Sequence, residues 1–348
     1  INEGKDWAPF KNGFPNVSTM DLVIQEKESA LVVGTFGRAI WVLDDLKSLR
    51  EIVRENTKEK ITILPMNEVV QVKGLFIAPP GNIWTGFGTT FEGENRLFQQ
   101  ANIPFFINDL PSKEDQLIGF IKNSKGDTLQ KLIGQDLLHG LNYLNWKLDE
   151  EREYLSGTYD PLESRGIPVL PGVYTVIIKY KGVESSNTIK VIPDPRFNIK
   201  EEVDQELYRY YKAVNVEVTK LKSLLNLVSS WENELKKLQQ KYAKLPRENK
   251  SLKNVYGLMD LVKQLKLAGK DSPGDRQVGA WQSTRITPVS AVNEAEKVAM
   301  ARLDNPSEQD WKRVSDAAAL IDAYRIQLKE FEDTRWSIFK KEFKKIKN

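Results

Sequence analysis

The chain has 348 residues, 51 Lys+Arg against 48 Asp+Glu, a net charge of +3 and no cysteine. That length leaves room for two or three domains, each with its own core. The absence of cysteine excludes disulfides, thiol catalysis and thiolate metal sites. The balanced charge gives no argument for nucleic acid, and no apolar run approaches the roughly 20 residues of a membrane span.

Three short β-branched and aromatic runs come first, at residues 21–24, 30–33 and 39–43. Gly and polar clusters separate them, which is the pattern of strands joined by turns. Gly34 and Gly37 bracket a bend where positive φ or close backbone approach is expected. Asp44 and Asp45 close the third run as turn or helix caps, ahead of a short helical turn at 46–53. Three short strands cannot bury a core alone, so this piece implies a partner sheet.

Strand-like runs follow at 61–64 and 69–72. Pro79, Pro80, Gly81, Gly86 and Gly88 then mark a loop that carries Trp84, Phe87 and Phe91. Such aromatics either stack on the apolar face of a sugar or pin the loop to a neighbour. Residues 94–196 read as all-β, with strands expected at 101–107, 116–122, 141–148, 172–180 and 186–192. Hairpin turns are expected at 123–126 and 181–182. Alternation over 172–180 puts Tyr174, Val176, Ile178 and Tyr180 on one face, and Trp146 is an expected core residue.

The period changes near Glu201. Val203, Leu207, Tyr211, Val214, Val218, Leu221, Leu225 and Val228 alternate steps of four and three, and Trp231 to Leu245 continues them. This predicts one long amphipathic helix ended by Pro246. A shorter helix spans Leu252 to Leu265, with its stop near Gly269. Residues 269–292 read as loop. A last helix starts after Pro306, with Ser307 as N-cap and Asp310 in a variant capping box. The two long helices are expected to fold back as an antiparallel pair, with the shorter one alongside. Lys340, Lys341, Lys344, Lys345 and Lys347 crowd the final turn, where cations complement the helix dipole and could meet an acidic surface.

The residues offer little catalytic chemistry. His139 is the only histidine, which leaves no Ser-His-Asp arrangement to build on. Asp44 and Asp45 are adjacent, so on a strand they point to opposite faces and do not form a spaced acid pair. Arg38 is a candidate anion ligand, weighed against a structural role beside those carboxylates. No Gly-Lys-Ser/Thr follows Pro79-Pro80-Gly81, so that loop is not a phosphate loop. No metal-ligand spacing is present, and no cofactor is implied.

Two stretches carry a family resemblance. LVVGTFGRAIWVLDD, residues 31–45, resembles the last blade of bacterial β-propellers related to sortilin and to Asp-box sialidase-like proteins, although Phe36 stands where those proteins carry His. LPGVYTVIIKYKGVESSNTIKVIPDPR, residues 170–196, resembles the closing hairpin of bacterial immunoglobulin-like modules, and the strand at 141–148 resembles their middle strand. The fold class implied is α+β multidomain: a propeller-blade remnant at 1–55, a connecting region at 56–93, an immunoglobulin-like sandwich at 94–197 and an antiparallel helical bundle at 198–348. The resemblance implies the C-terminal part of a longer exported protein, secreted, periplasmic or on the bacterial surface, whose N-terminal propeller would be a partner in the same protein. It also implies a non-catalytic role toward a glycan or a protein partner. The candidate ligand residues are Arg38, Trp41, Asp44, Asp45, Trp84 and Phe87. Two alternatives stay open: a sialidase-like glycosidase with its active residues in a missing propeller, and a structural adaptor acting through its helices.

Overall fold

The computed structural model describes residues 4–7, 14, 16–26, 29–43, 45–54, 59–72, 100–155, 166–242, 249–270 and 286–345. The chain is mixed α+β and divides into two compact units. One comprises residues 1–151 and 168–198, the other 152–167 and 199–348.

In the first unit, β1 (Thr19–Gln25), β2 (Ala30–Thr35) and β3 (Ile40–Leu43) form an antiparallel sheet in that order. Gly37 takes φ +79° at the β2–β3 bend, and Ala39 beside it also sits at positive φ. Gly34 faces ordinary van der Waals contact with Asp21. Helix α1 (Leu46–Arg54) follows, started by the Asp45 carboxylate accepting from the Ser48 amide.

The other strands of this unit enclose one core. A five-stranded sheet has the order β5-β13-β12-β7-β8, from β5 (Val69–Gln71), β7 (Leu117–Lys122), β8 (Thr128–Gly134), β12 (Gly172–Tyr180) and β13 (Val183–Pro193). A three-stranded sheet has the order β4-β6-β9, from β4 (Ile61–Ile63), β6 (Ala101–Ile107) and β9 (Gly140–Trp146). Two short strands, β10 (Asp149–Glu150) and β11 (Ile167–Pro168), pair with each other. Both larger sheets send alternate residues into the core: Leu117, Ile121, Val176 and Ile178 from one, Ile103, Phe105 and Trp146 from the other. Trp146 is fully buried, donates its indole N–H to the Asp149 carbonyl at 2.8 Å and packs edge-on against Tyr174. Emptying such a site typically costs about 4 kcal/mol. Gly119 allows close approach: a Cβ there would press on the end of the Leu144 side chain.

Turn chemistry sets the hairpins. Lys181 and Gly182 both have positive φ between Tyr180 and Val183, the two-residue turn whose twist matches its strands. The Asn123 carboxamide accepts from the amides of Lys125 and Asp127, and Gly126 takes φ +88°. That second turn leads into β8, a strand the sequence reading lacked. β8 is an edge strand with mixed exposure, so its apolar residues show no clean alternation.

The second unit is helical. Its elements are α2 (Glu201–Tyr242), α3 (Lys250–Gly269), α4 (Pro288–Ala301), α5 (Glu308–Phe331) and α6 (Ser337–Lys345), with a π turn at Glu332–Trp336 joining the last two. One apolar core runs along α2 from Tyr210 to Leu235 and takes residues from each of the others. Near its start the seam uses Tyr210, fully buried, rather than the partly buried Tyr211. Leu155 joins this core, and Arg152 pairs with Glu296 while its guanidinium lies over the Tyr154 ring.

The contacts fix the helix directions. Lys266 pairs with Glu232, Gly269 lies against Leu225, and Tyr210 reaches the Ala295 carbonyl. Position along α2 therefore falls as α3 and then α4 advance. The last helices climb again: Trp311 packs on Tyr210, Phe331 and Trp336 on Trp231, and Lys340 pairs with Glu234. α2 and α5–α6 thus run parallel, which corrects the antiparallel pair expected from sequence. The cause is α4, which lies partly within the segment read as loop. With α3 and α4 both descending, the final helix starts at the low end and must rise. The start signal for α4 is Thr287, whose hydroxyl accepts from the Ser290 amide at 3.1 Å, followed by Pro288 in the first helical position. Gly269 ends α3 without positive φ; the Tyr324 ring and Leu225 leave no room for a side chain there.

Ser307 and Asp310 form the expected capping box at the start of α5. Asp310 is almost completely buried and also holds Arg302 at 2.5 Å and Arg313 at 2.8 Å. Burial works against its charge, but the Ser307 hydroxyl and amide, together with Arg302, outweigh burial and keep its carboxyl below the usual range.

The π turn has a sequence cause. Buried residues on α5 step by four and three through Ala317, Ile321, Tyr324, Leu328 and Phe331, and the next is Trp336, five residues on. A plain α-helix would place Arg335 on the core. One extra residue per turn, with the Ser337 amide donating to the Glu332 carbonyl, brings Trp336 round instead. Deleting Asp333 should therefore convert the π turn to α-helix and leave the melting temperature nearly unchanged. Deleting Ile326 rotates Leu328 and Phe331 about 100° off the core and should lower it sharply. Equal losses for the two deletions would contradict this assignment.

Burial also pushes the phenols of Tyr210, Tyr211 and Tyr324 up to about 12 from an ordinary 10.0. Tyr210 shares its one hydroxyl hydrogen between the Ala295 and Asp310 carbonyls, and Tyr324 donates to the Leu265 carbonyl. The neutral phenols stabilise the fold fully below the unfolded value, and that contribution is lost as pH rises toward the folded one. Helical circular dichroism should fall cooperatively between about pH 10 and 12, and Tyr324→Phe should move the midpoint upward. An unchanged midpoint would contradict it.

Candidate functional site

The residues singled out by sequence lie around the β2–β3 bend and the start of α1. Thr35 closes the bend, its hydroxyl donating to the Ala39 carbonyl at 2.6 Å. Arg38 is exposed within that bend, and its carbonyl accepts the indole N–H of Trp41 at 2.9 Å. Trp41 is half-buried and meets Phe14 edge-on, ring centroids 5.6 Å apart. Arg38 and Trp41 are therefore brought together by the local bend.

Asp45 is turned to other work. One carboxylate oxygen caps α1, and the other accepts from the Tyr143 hydroxyl at 3.1 Å. Lys47 reinforces the same junction, donating to the Met66 carbonyl and the Asn67 side chain. This carboxylate ties β3 and α1 to β9. Tyr143 was not legible as its partner, because 98 residues separate the two. Asp44, Trp84 and Phe87 lie outside the described residues.

The only histidine sits in a second cluster, at one end of β6 and β12. His139 Nδ1 lies 3.2 Å from the Asp109 carbonyl, and its ring meets Phe106 edge-on. Lys181, on the hairpin turn, reaches Asp109 at 3.2 Å and Asp115 at 2.7 Å. The hydrogen bond from Lys181 lowers the Asp115 carboxyl and, with the bond to Tyr180, raises the Lys181 ammonium above its usual range. Both shifts favour the charged forms. They make Lys181 a fastener between two loops rather than a proton acceptor at neutral pH.

An apolar surface remains on the β1–β3 sheet itself. Met20, Leu22, Val23 and Ile24 on β1, and Ile40 and Val42 on β3, are all exposed. Successive residues of a strand point to opposite faces, so Leu22, Val23 and Ile24 place apolar side chains on both faces of the sheet. Only Ala30 and Val33 of this sheet are buried. Among the described residues no group of three His, Asp or Glu side chains is placed to hold a metal ion, and no helix is long and apolar enough to cross a membrane. Compared with protein-family models and with curated proteins, the chain matches none.

Proposed function

We propose that this chain is a non-catalytic accessory region of an exported, sialidase-like propeller protein, with β1–β3 as a blade that neighbouring blades would cover. In this reading β4–β13 make an immunoglobulin-like sandwich and the helical unit a bundle, both serving as spacer and docking parts. The surface around Arg38 and Trp41 is the part offered to a glycan or a protein partner, at or outside the bacterial surface.

One observation carries the reading: β1–β3 exposes apolar side chains on both of its faces. A strand at the surface of a sandwich needs one apolar face, as in β12, where Tyr174, Val176, Ile178 and Tyr180 point inward. A sheet stacked between two others needs both, and the blades of a propeller are stacked in that way around their axis. Exposed apolar patches of this kind mark contact surfaces.

The test has two arms. Replacing Leu22 by Ser and replacing Val23 by Ser should each change the stability of the isolated chain by no more than about 0.5 kcal/mol, the range usual for exposed positions, while reducing binding of a hydrophobic dye. A large fall in stability would mean that the sheet packs inside this chain, and the blade reading would fail. The purified chain should turn over neither sialosides nor aryl glycosides. Turnover abolished by Asp45→Ala would overturn the non-catalytic assignment.

A further inference from the structure

The parallel course of α2 and α5–α6 has an electrostatic result. Residues 235–253 and 337–348 together hold twelve Lys and Arg against two Glu, in a chain whose net charge is only +3. The sequence places 83 residues between these segments. The fold brings their described residues to one end of the helical unit. Lys340 pairs with Glu234 at 3.2 Å, and the descending α3 sets its own first turns, with Lys253, beside the last turns of α2. The opposite end of α2 begins with Glu201, Glu202 and Asp204. Lys236, Lys237, Lys241, Lys253, Lys340 and Lys341 are all exposed at the basic end. Among the described residues, Glu232 takes Lys236 and Lys266, and Glu234 takes Lys340.

Helix dipoles do not account for the excess. Two helix C-termini, those of α2 and α6, point to this end, and each is worth roughly half a negative charge. The six exposed lysines exceed that requirement. We infer that this basic end is a docking surface for an anionic phospholipid bilayer, the chain lying against the membrane without crossing it. Three observations favour that partner. All six exposed cations are Lys; lysines act as point charges and lack the planar fork that reads a single phosphate or a base edge. They stand on the ends of several helices, which suits a broad surface of laterally mobile headgroups. Beside them α6 exposes Ile338, 52% accessible, an apolar side chain able to enter the headgroup layer. Clustered lysines on such a helix are attracted by anionic lipid over about a Debye length.

Flotation of the full chain with vesicles tests this. The chain should float with phosphatidylcholine vesicles containing phosphatidylserine and not with phosphatidylcholine alone, and high salt should release it. The triple variant Lys237→Glu, Lys241→Glu, Lys341→Glu should weaken binding by at least about tenfold with an unchanged melting temperature, since all three side chains are exposed. A control of equal charge change, Lys113→Glu, Lys125→Glu, Lys131→Glu, alters exposed residues of the other unit and should float normally. Equal loss in the two triples, no binding to phosphatidylserine vesicles, or equal binding to neutral ones would overturn the inference. Retention on heparin or duplex DNA without vesicle binding would also overturn it, assigning the surface to a soluble polyanion.

Discussion

The helical unit depends on one requirement, that the apolar seam of α2 be covered along its whole length. A helix of 42 residues extends about 60 Å, and among the described residues no single helix descends that far. α3 covers the upper part with Leu258, Val262 and Leu265, and α4 the lower with Val292 and Ala295. The final helix then spans the full distance. The direction of that helix, the π turn that keeps Trp336 on the seam, and the convergence of the two basic segments all follow from how this one stripe is buried.

The first unit shows how differently placed apolar residues become different surfaces. β6 and β12 alternate or face a second sheet, and their apolar residues disappear into a shared core. β1 carries three apolar residues in succession, which no single facing layer can cover, and they remain exposed. The contrast lies in the covering, not in hydrophobicity. Asp45 bridges these two regimes, capping α1 and accepting from Tyr143 on β9. A carboxylate engaged on both oxygens is poorly placed to serve as acid or nucleophile in glycoside hydrolysis.

Much of the fold was legible in the sequence, for local reasons. The strand at 101–107 and that at 172–180 emerge at the expected bounds, the Lys181-Gly182 turn has the two positive φ angles its residues favour, and Ser307 and Asp310 cap as read. Errors arose where the outcome is set by distant partners. α4 was missed because its small residues form a weak stripe, although Thr287 and Pro288 were a start signal. Missing it reversed the expected direction of the last helix. β8 was missed because edge strands need not alternate. Of the candidate site, the Arg38–Trp41 pairing is a local bend and could be sensed from sequence. The Asp45–Tyr143 contact and the Lys181–Asp109–Asp115 cluster join residues too far apart for any pattern to connect them.

The parallel course of α2 and α6 is the claim from which the charge convergence follows, and zero-length crosslinking tests it without substitution. Carbodiimide joins a carboxylate to an amine only when they touch, and peptide mass spectrometry then reads the pair. The parallel arrangement predicts an amide between Glu234 and Lys340, together with one between Glu232 and Lys266 from the descending α3. Crosslinks from Lys340 or Lys341 to Glu201, Glu202 or Glu206, at the far end of α2, would place the last helix antiparallel and contradict the account.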